Sequence, residues 1–341
     1  MTGSSTQPKA ATPPSPANIQ LMQLTTAGWT SRCLHVVAEL GVADAIADQP
    51  QSTEALAKAT GTQPQALYRV LRLLASVGIF DWKDGAWRHT EASRYLLSDH
   101  PESLRDYVRM LGLPAFWSAF EDLDHSLRTG ECAFTKRRPE GVFAYLATHP
   151  DESRIFNSSM TSKSHRDIAA ILPVYDFSQF STVADIAGGR GHLLRAILKS
   201  SPNTQGILFD QPHVVAEVAP ENGEKLAVVG GNFFTDSMPQ ADAYLLMNII
   251  HDWPDAESVK ILSAIRRAMP AHARVLIIES VVPHTPGPHL SKELDIIMLA
   301  IPGGMERTQE EYASLASKCA LRLERIVDTL SPYSILELAA A

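Results

Sequence analysis

One stretch of the sequence constrains the fold more than any other: TVADIAGGRG, residues 182–191, followed at once by HLLRAIL, residues 192–198. An apolar run with β-branched residues ends near an acid, passes through a Gly-rich turn and continues with helical periodicity. This order predicts a strand, a tight loop and a helix N-terminus, the unit with which α/β proteins bind nucleotides. Glycines in such a loop let a ligand approach the backbone where a Cβ would collide with it.

The spacing and charge of this loop distinguish it from a dinucleotide-binding loop. A G-x-G-x-x-G loop holds a pyrophosphate on backbone N–H groups at a helix N-terminus. Here the pattern is Asp-x-Ala-Gly-Gly-x-Gly, and Asp185 ends the strand beside the loop. A carboxylate there repels a diphosphate but suits an ammonium or a sulfonium, and S-adenosylmethionine carries both cations and no phosphate. The alternative is that Asp185 only caps the helix and the glycines only form a turn.

Length and composition describe an ordinary globular chain. Its 341 residues predict two domains, or one with a large appendage. With a net charge of −8 it has no basic field for nucleic acid or anionic lipid. The three cysteines are far apart, which argues against a zinc site or a disulfide framework. Residues 1–17 are predicted to be a disordered tail rather than a signal peptide, and no apolar run reaches the ~18 residues of a membrane span, so we expect a cytoplasmic protein.

The N-terminal part is predicted to be a winged-helix module. Apolar residues recur at helical spacing from Ile19 to Ile46, and Gly28 and Gly41 are expected to divide this stretch into at least two helices. A further helix is predicted at Pro64–Ser76, where the proline suits the first helical position. Residues 78–89 are predicted to form a β-hairpin that turns on an Asp-Gly pair.

A winged helix raises DNA binding as a second possibility, so the charges of this module matter. Its recognition helix would offer only two arginines, Arg69 and Arg72, beside Gln63 and Gln65. Two arginines are few for the phosphate contacts of a recognition helix, and the basic residues of the hairpin are balanced by acidic ones. We therefore expect the module to contact protein rather than DNA.

Residues 111–175 are predicted to be a helical linker between the N-terminal module and the α/β domain. Aromatic and methionine side chains are concentrated in the linker, and most have the spacing of a helical core. Phe156 and Met160 are the best candidates to line a pocket for a flat apolar ligand. The predicted boundaries are a tail at 1–17, the module at 18–110, the linker at 111–175 and the α/β domain at 176–341.

Strands and helices continue to alternate after the Gly-rich loop. Further strands are predicted at 206–210, 226–229, 243–247 and 274–279. Asp210 ends the first of these, about twenty residues beyond the loop, where α/β cofactor sites place a carboxylate for ribose hydroxyls. The chain finishes with two strand-like runs, Leu321–Asp328 and Tyr333–Leu338, joined by a tight turn. They predict an antiparallel last strand in a parallel sheet, which a plain dinucleotide-binding fold does not need.

Together these residues resemble the S-adenosylmethionine-dependent O-methyltransferases of the plant caffeate and hydroxyindole type and their relatives in bacterial secondary metabolism. The resemblance covers nearly the whole chain. Its most specific motifs are FDQPHVV at 209–215, IHDW at 250–253 and GGMERT at 303–308. It implies a Rossmann-like seven-stranded sheet with an antiparallel C-terminal hairpin, and an N-terminal helical winged-helix domain for dimerisation.

The resemblance implies a catalytic base at His251, just beyond a strand end. Methyl transfer to a hydroxyl requires the nucleophile to lose its proton, and an imidazole with a pKa of about 6.5 can take that proton at pH 7. Glu279 and Glu306 would flank His251, fix its tautomer and stabilise the imidazolium. Because a base removes the proton, no metal is expected.

For the cofactor, the resemblance implies that Asp210 holds the ribose hydroxyls and that Asn232 and Phe233 bracket the adenine. The loop glycines that would make room for the methionine part are Gly188, Gly189 and Gly191.

The sequence departs from the family's pattern at three cofactor positions. Asn232 stands where an aspartate is usual, Met247 where a lysine is usual, and Ala187 where the first loop glycine is usual. These changes put the affinity for the cofactor in question, but they leave the residues of the reaction in place.

We therefore predict an S-adenosylmethionine-dependent O-methyltransferase that acts as a homodimer on the hydroxyl of a small aromatic molecule. Asp252 and Trp253 would join Phe156 and Met160 in the substrate pocket. Two alternatives remain. One is N-methylation of a heteroaromatic acceptor, in which the base matters little. The other is a catalytically inactive cofactor-binding regulator whose winged helix binds DNA.

Overall fold

The structure is a computed structural model that describes residues 16–216, 218–219 and 223–341. It divides into two compact units, Met1–Gly112 and Leu113–Ala341. Most of the predicted tail at 1–17 lies outside the described residues, but Pro16 and Ala17 already belong to the first helix.

The N-terminal unit consists of helices and one hairpin. Its elements are α1 (Pro16–Glu39), α2 (Val42–Ile46), α3 (Thr53–Thr60), α4 (Pro64–Ser76), β1 (Phe80–Lys83), β2 (Ala86–His89), α5 (Glu91–Arg94) and α6 (Arg105–Leu111). The hairpin turns at Asp84 and Gly85, whose φ values of 54° and 76° are those that an Asp-Gly turn requires. The expected break at Gly28 is wrong, because α1 runs straight through it. A single glycine in a helix costs only about 1 kcal/mol, and a helix of 24 residues tolerates that.

The second unit begins with helices and continues as an α/β domain. The helices before the sheet are α7 (Pro114–Glu121), α8 (Leu123–Thr129), α9 (Ala133–Arg137), α10 (Val142–Thr148) and α11 (Pro150–Ile171). The strands are β3 (Thr182–Ile186), β4 (Gln205–Asp210), β5 (Leu226–Gly230), β6 (Ala243–Met247), β7 (Arg274–Glu279), β8 (Leu321–Asp328) and β9 (Ser334–Ala340). The helices between them are α12 (His192–Ser200), α13 (Pro212–Val215), α14 (Asp255–Ala268), α15 (Leu290–Ala300) and α16 (Gln309–Ser317).

The seven strands form one sheet in the order β5-β4-β3-β6-β7-β9-β8. The first five pair in parallel, whereas β9 pairs antiparallel with both β7 and β8. The predicted antiparallel last strand is therefore confirmed. Successive residues of β6 alternate between two apolar layers, one on each face of the sheet, as a parallel sheet buried on both sides requires.

The strand order reverses between β3 and β6, because β3 continues to β4 on one side while β6 lies on the other. Open α/β sheets bind their ligands at such a reversal, outside the carboxyl ends of the strands. The fold thus indicates where the functional residues should lie.

Candidate active site

The Gly-rich loop after β3 closes onto two carboxylates. The Oδ2 atom of Asp210 accepts a hydrogen bond from the backbone N of Gly189 at 2.8 Å. Asp185 lies against Gly188 so closely that a Cβ at that position would collide with the carboxylate. Gly189 and Gly191 have left-handed φ values of 61° and 76°. The loop therefore needs glycine for space at one position and for backbone conformation at the other two.

Both carboxylates are in surroundings that disfavour negative charge. Burial raises the pKa of Asp185 to about 7, and the nearby charge of Asp210 adds to the effect. Burial also raises the pKa of Asp210, against the hydrogen bonds from Gly189 and Gln211. A cation beside this pair relieves the repulsion between the two carboxylates. The glycines and acids present here thus fit a cofactor that is cationic and carries ribose hydroxyls.

Ala187, at the first glycine position of the loop, adopts a conformation that glycine prefers. Its φ is 55°, and its backbone N donates to the carbonyl of Phe209 at 2.7 Å. The left-handed backbone brings the Cβ of an L-residue too close to the following carbonyl oxygen. Ala187 therefore keeps the loop geometry at the expense of local strain.

Aromatic rings surround the positions expected for adenine. The side-chain oxygen of Asn232 accepts from the backbone N of Phe234 at 2.9 Å and so fixes a local turn. The ring of Phe233 lies edge-to-face with that of Trp253 at a centroid distance of 5.8 Å. Trp253 also stacks with Phe143 of α10 at 6.3 Å. The structure therefore brings a predicted substrate residue next to a predicted adenine residue.

The remaining predicted site residues are Met247, expected at the cofactor, and Phe156 and Met160, expected in the substrate pocket. Met247 ends β6 and packs against one apolar layer of the sheet. Phe156 and Met160 lie about one turn apart on α11. The ring of Phe156 faces that of Phe116 on α7 at 6.3 Å.

His251 lies on a single 3₁₀ turn, Ile250–Asp252, directly after β6. Its Nδ1 is 2.8 Å from Oε1 of Glu306, and its Nε2 is 3.6 Å from Oδ1 of Asp252. Both His251 and Glu306 are buried. Because Nδ1 donates its proton to the Glu306 carboxylate, Nε2 is the nitrogen that can accept a proton from a bound molecule.

The charge state of His251 differs from the sequence-based expectation. Burial lowers the pKa of this imidazole, but Asp252, the hydrogen bond to Glu306 and the charge of Glu279 outweigh burial and raise it to about 9. The expectation of a value of about 6.5 is therefore wrong for the protein without its ligands. That expectation considered the imidazole alone, whereas in the structure the carboxylates of Asp252, Glu279 and Glu306 surround the imidazole.

Glu279, at the end of β7, contacts the histidine turn through the backbone. Its Oε1 accepts from the backbone N of Ile249, Ile250 and His251, at 2.9, 2.6 and 3.1 Å. Its Oε2 accepts from the hydroxyl of Tyr312 at 2.6 Å. Of the two predicted supports, Glu306 thus reaches the imidazole and Glu279 holds the turn.

Two further residues, Gly304 and Arg307, hold the same turn and were missed at the sequence level. A Cβ at Gly304 would overlap the carbonyl oxygen of His251. The side chain of Arg307 is fully buried and donates to the carbonyls of Ile250 and Trp253. Both residues belong to the GGMERT motif at 303–308. The motif indicated the family, but it did not indicate that these two residues contact the histidine turn.

Among the residues that the structure describes, no group of three or more His, Cys, Asp or Glu side chains is arranged to hold a metal ion. None of their helices has the length and apolarity to cross a membrane.

A carboxylate-lined glycine loop and a carboxylate-bound histidine at one edge of this sheet define an α/β methyltransferase. The O-methyltransferase domain matches residues 120–322, and the O-methyltransferase dimerisation domain matches residues 22–99. The chain belongs to the O-methyltransferase family, which confirms the resemblance noted from the sequence. It is an enzyme, and its cofactor is S-adenosylmethionine.

Individual relatives agree over nearly the full length. The chain is 41% identical over 329 residues to a phenazine O-methyltransferase of Lysobacter antibioticus, covering 94% of this chain and 96% of the relative. It is 36% identical over 322 residues to the mitomycin biosynthesis 6-O-methyltransferase of Streptomyces lavendulae, covering 92% of each. The crystal structure of CalO1, a methyltransferase in calicheamicin biosynthesis in its SAH-bound form, has a TM-score of 0.85 at 36% identity, covering 95% of this chain and 98% of CalO1.

Ala187→Gly should stabilise the protein by about 1 kcal/mol, because it removes the left-handed strain and leaves the loop unchanged. Thermal unfolding should show a Tm about 2–4 °C higher. Ala196→Gly is the matched control, since it places the same substitution within α12, where it should lower the Tm. An Ala187→Gly protein with an unchanged or lower Tm contradicts the strain at this position.

Proposed function

We propose that this protein transfers a methyl group to the hydroxyl of a small aromatic metabolite, with His251 as the general base. The observation that carries the proposal is the 2.8 Å hydrogen bond between Nδ1 of His251 and Glu306. When bound, S-adenosylmethionine supplies a methyl group that is activated on a sulfonium cation. The base side of the reaction belongs to the residues of this chain.

His251 takes the proton of the acceptor hydroxyl at Nε2, and Glu306 stabilises the resulting imidazolium. The surrounding carboxylates make the imidazole a stronger base than a free histidine. Positive charge at the same sheet edge disfavours the imidazolium, so we expect the pKa of His251 to fall when the cationic cofactor binds. His251 is then more fully unprotonated when the acceptor arrives.

The cofactor is proposed to occupy the crevice at the strand reversal. Asp210 would take the ribose hydroxyls, and Asp185 would lie on the side of the cationic methionine part. Asn232, Phe233 and Met247 would border the adenine end. The buried carboxylates and the collision that a Cβ at Gly188 would cause support this assignment.

The acceptor is proposed to be a flat aromatic molecule. Phe156 and Met160 would form one wall of its pocket, and Asp252 and Trp253 would lie beside the base. The aromatic contacts of Phe156 and Trp253 support this choice. So do the relatives, which include a phenazine O-methyltransferase and a 6-O-methyltransferase of mitomycin biosynthesis.

His251→Ala should lower kcat by about 10²–10⁴-fold, the usual contribution of a general base. Cofactor affinity, measured by calorimetry above pH 9, where His251 already carries no charge, should stay within about twofold, because the proposed cofactor residues lie outside the 249–253 turn. Turnover is followed with methyl-labelled cofactor and a panel of phenols, hydroxyindoles, phenazines and flavonoids.

His272→Ala is the control, since this exposed histidine pairs with Asp242 outside the site. Near-full turnover by His251→Ala would rule out the base and favour N-methylation. A wild-type protein that binds the cofactor but methylates no compound of the panel would favour the inactive regulator.

The pH dependence of kcat/KM tests the charge state of His251 in the enzyme without ligands. Because the base acts unprotonated and its pKa is raised to about 9, kcat/KM should increase from pH 6.5 to pH 9. Glu306→Gln removes a charge and weakens a hydrogen bond that both raise this pKa, so the profile should shift to lower pH while its plateau falls. Glu310→Gln, on an exposed glutamate paired with His284, should leave the profile unchanged. A Glu306→Gln profile that shifts upward contradicts the assignment.

The N-terminal domain is proposed to form a homodimer. Large apolar side chains of α1 are 47–69% exposed, an unusual density for a surface helix, and they are Ile19, Leu21, Met22, Leu24 and Trp29. The family dimerisation domain, which matches residues 22–99, includes Met22, Leu24 and Trp29 of this set. A second copy of the chain is therefore the expected partner.

Sedimentation at micromolar concentration should give twice the chain mass, and Leu21→Glu with Leu24→Glu should shift it to one chain mass. Leu330→Glu is the control, because Leu330 is 87% exposed in the other unit and its substitution should leave the dimer intact. A wild-type monomer contradicts the proposal.

A further inference from the structure

Arg307 is a fully buried arginine whose contacts converge on the turn that carries His251. Its Nη1 donates to the carbonyl of Ile250 at 3.2 Å, and its Nη2 donates to the carbonyl of Trp253 at 2.9 Å. Its Nε and Nη2 both donate to Oδ1 of Asp255, at 3.2 and 3.0 Å. Arginine is almost never fully buried unless it is paired. Here the ionic partner is half-exposed, and two of the other hydrogen bonds go to carbonyls of the turn.

The backbone N–H groups of the same turn are bound by Glu279. One carboxylate oxygen accepts the N–H groups of three consecutive residues, Ile249 to His251, and Tyr312 donates to the other. A short turn has no ladder of its own for these groups, and each buried one without a partner costs about 1–3 kcal/mol. The N–H groups of the turn are thus held by an anion and its carbonyls by a cation.

The segment before Arg307 aligns the partner of the imidazole with this turn. The backbone N of Met305 donates to the carbonyl of His251 at 2.8 Å. The backbone N of Glu306 donates to Oδ1 of Asp295 at 2.9 Å. Any movement of the turn relative to this segment therefore changes the distance between Nδ1 and Glu306.

We propose that Arg307 is a positioning residue for the base: together with Glu279 it clamps the 249–253 turn and keeps the imidazole against Glu306. The inference rests on the proposed function, because it takes His251 as the base. Arg307 itself touches only the turn, Met305 and α14 in these contacts. Its effect on the reaction runs through the position of His251, where a displacement of 1 Å can lower the rate about 10²-fold.

The experiment compares Arg307→Met and Arg307→Lys in the full-length protein. Arg307→Met should lower kcat by about tenfold or more, with cofactor Kd within about twofold, and should shift the pH profile because the imidazole leaves Glu306. Arg307→Lys should recover only part of kcat, since an ammonium cannot span both carbonyls. In Arg307→Ala, added guanidinium should restore part of the rate and added ammonium should not.

Arg274→Met is the matched control. Arg274 also binds a carboxylate and two carbonyls, those of Glu337, His272 and Ala273, but at the opposite end of β7. Its substitution should lower the Tm and leave kcat and the pH profile unchanged. If Arg307→Met fails to fold, Asp255→Asn weakens the clamp from the protein surface and should lower kcat in the same direction.

Arg307→Met and Arg274→Met proteins that both lose only stability would overturn the inference. An unchanged kcat in a folded Asp255→Asn protein would count against it when Arg307→Met cannot be measured. His251→Ala separates the two proposals: if it lowers kcat as expected while Arg307→Met leaves both kcat and the pH profile unchanged, only the inference fails. Near-full turnover of His251→Ala makes the proposed function itself fail.

Discussion

The contact between His251 and Glu306 joins two segments that are 55 residues apart in the chain. A single hydrogen bond to a charged side chain contributes only about 1.5–3 kcal/mol and does not by itself hold two loops together. The alignment comes instead from the backbone of both segments. Glu279 binds the N–H groups of the histidine turn, while Asp295 binds the backbone of Glu306. The imidazole is therefore set in place by groups that never touch it, which is how preorganised sites keep their geometry.

The same edge of the sheet carries several buried carboxylates whose ionised forms are unfavourable there. Burial raises the pKa of Asp185, Asp210 and Glu279, so each carboxylate is less favourable there than in water. Such groups lower the stability of the protein without its ligands and are tolerated where function requires them. A cation that binds at this edge is stabilised by these carboxylates and in turn stabilises their ionised forms. The raised pKa of His251 comes from the carboxylates next to it, Asp252, Glu306 and Glu279.

Local signals in the sequence predicted most of the sheet. The glycine loop, the Asp-Gly hairpin and the C-terminal pair of strands each depend on a few neighbouring residues, and their positions agree with the structure. The roles of Glu279 and Arg307 are not local. A strand-end acid can reach either a side chain or a backbone, and an arginine beside a glutamate is normally exposed. Whether Glu279 binds backbone and whether Arg307 is buried both depend on where the histidine turn lies in three dimensions.

Two residues other than glycine show what the ends of β3 and β6 require. Ala187 and Asn248 follow these strands directly and have left-handed φ values of 55° and 56°. Their neighbouring strands pair in parallel, and each residue donates its backbone N to the next strand, at Phe209 and Ile278 respectively. The left-handed residue turns the chain abruptly at the sheet edge, so the glycine loop and the histidine turn both start at the strand reversal. Asparagine adopts this conformation readily, whereas alanine does so with strain. The requirement at position 187 is therefore a backbone conformation rather than an absent side chain, which explains how a family glycine is replaced here while the loop is kept.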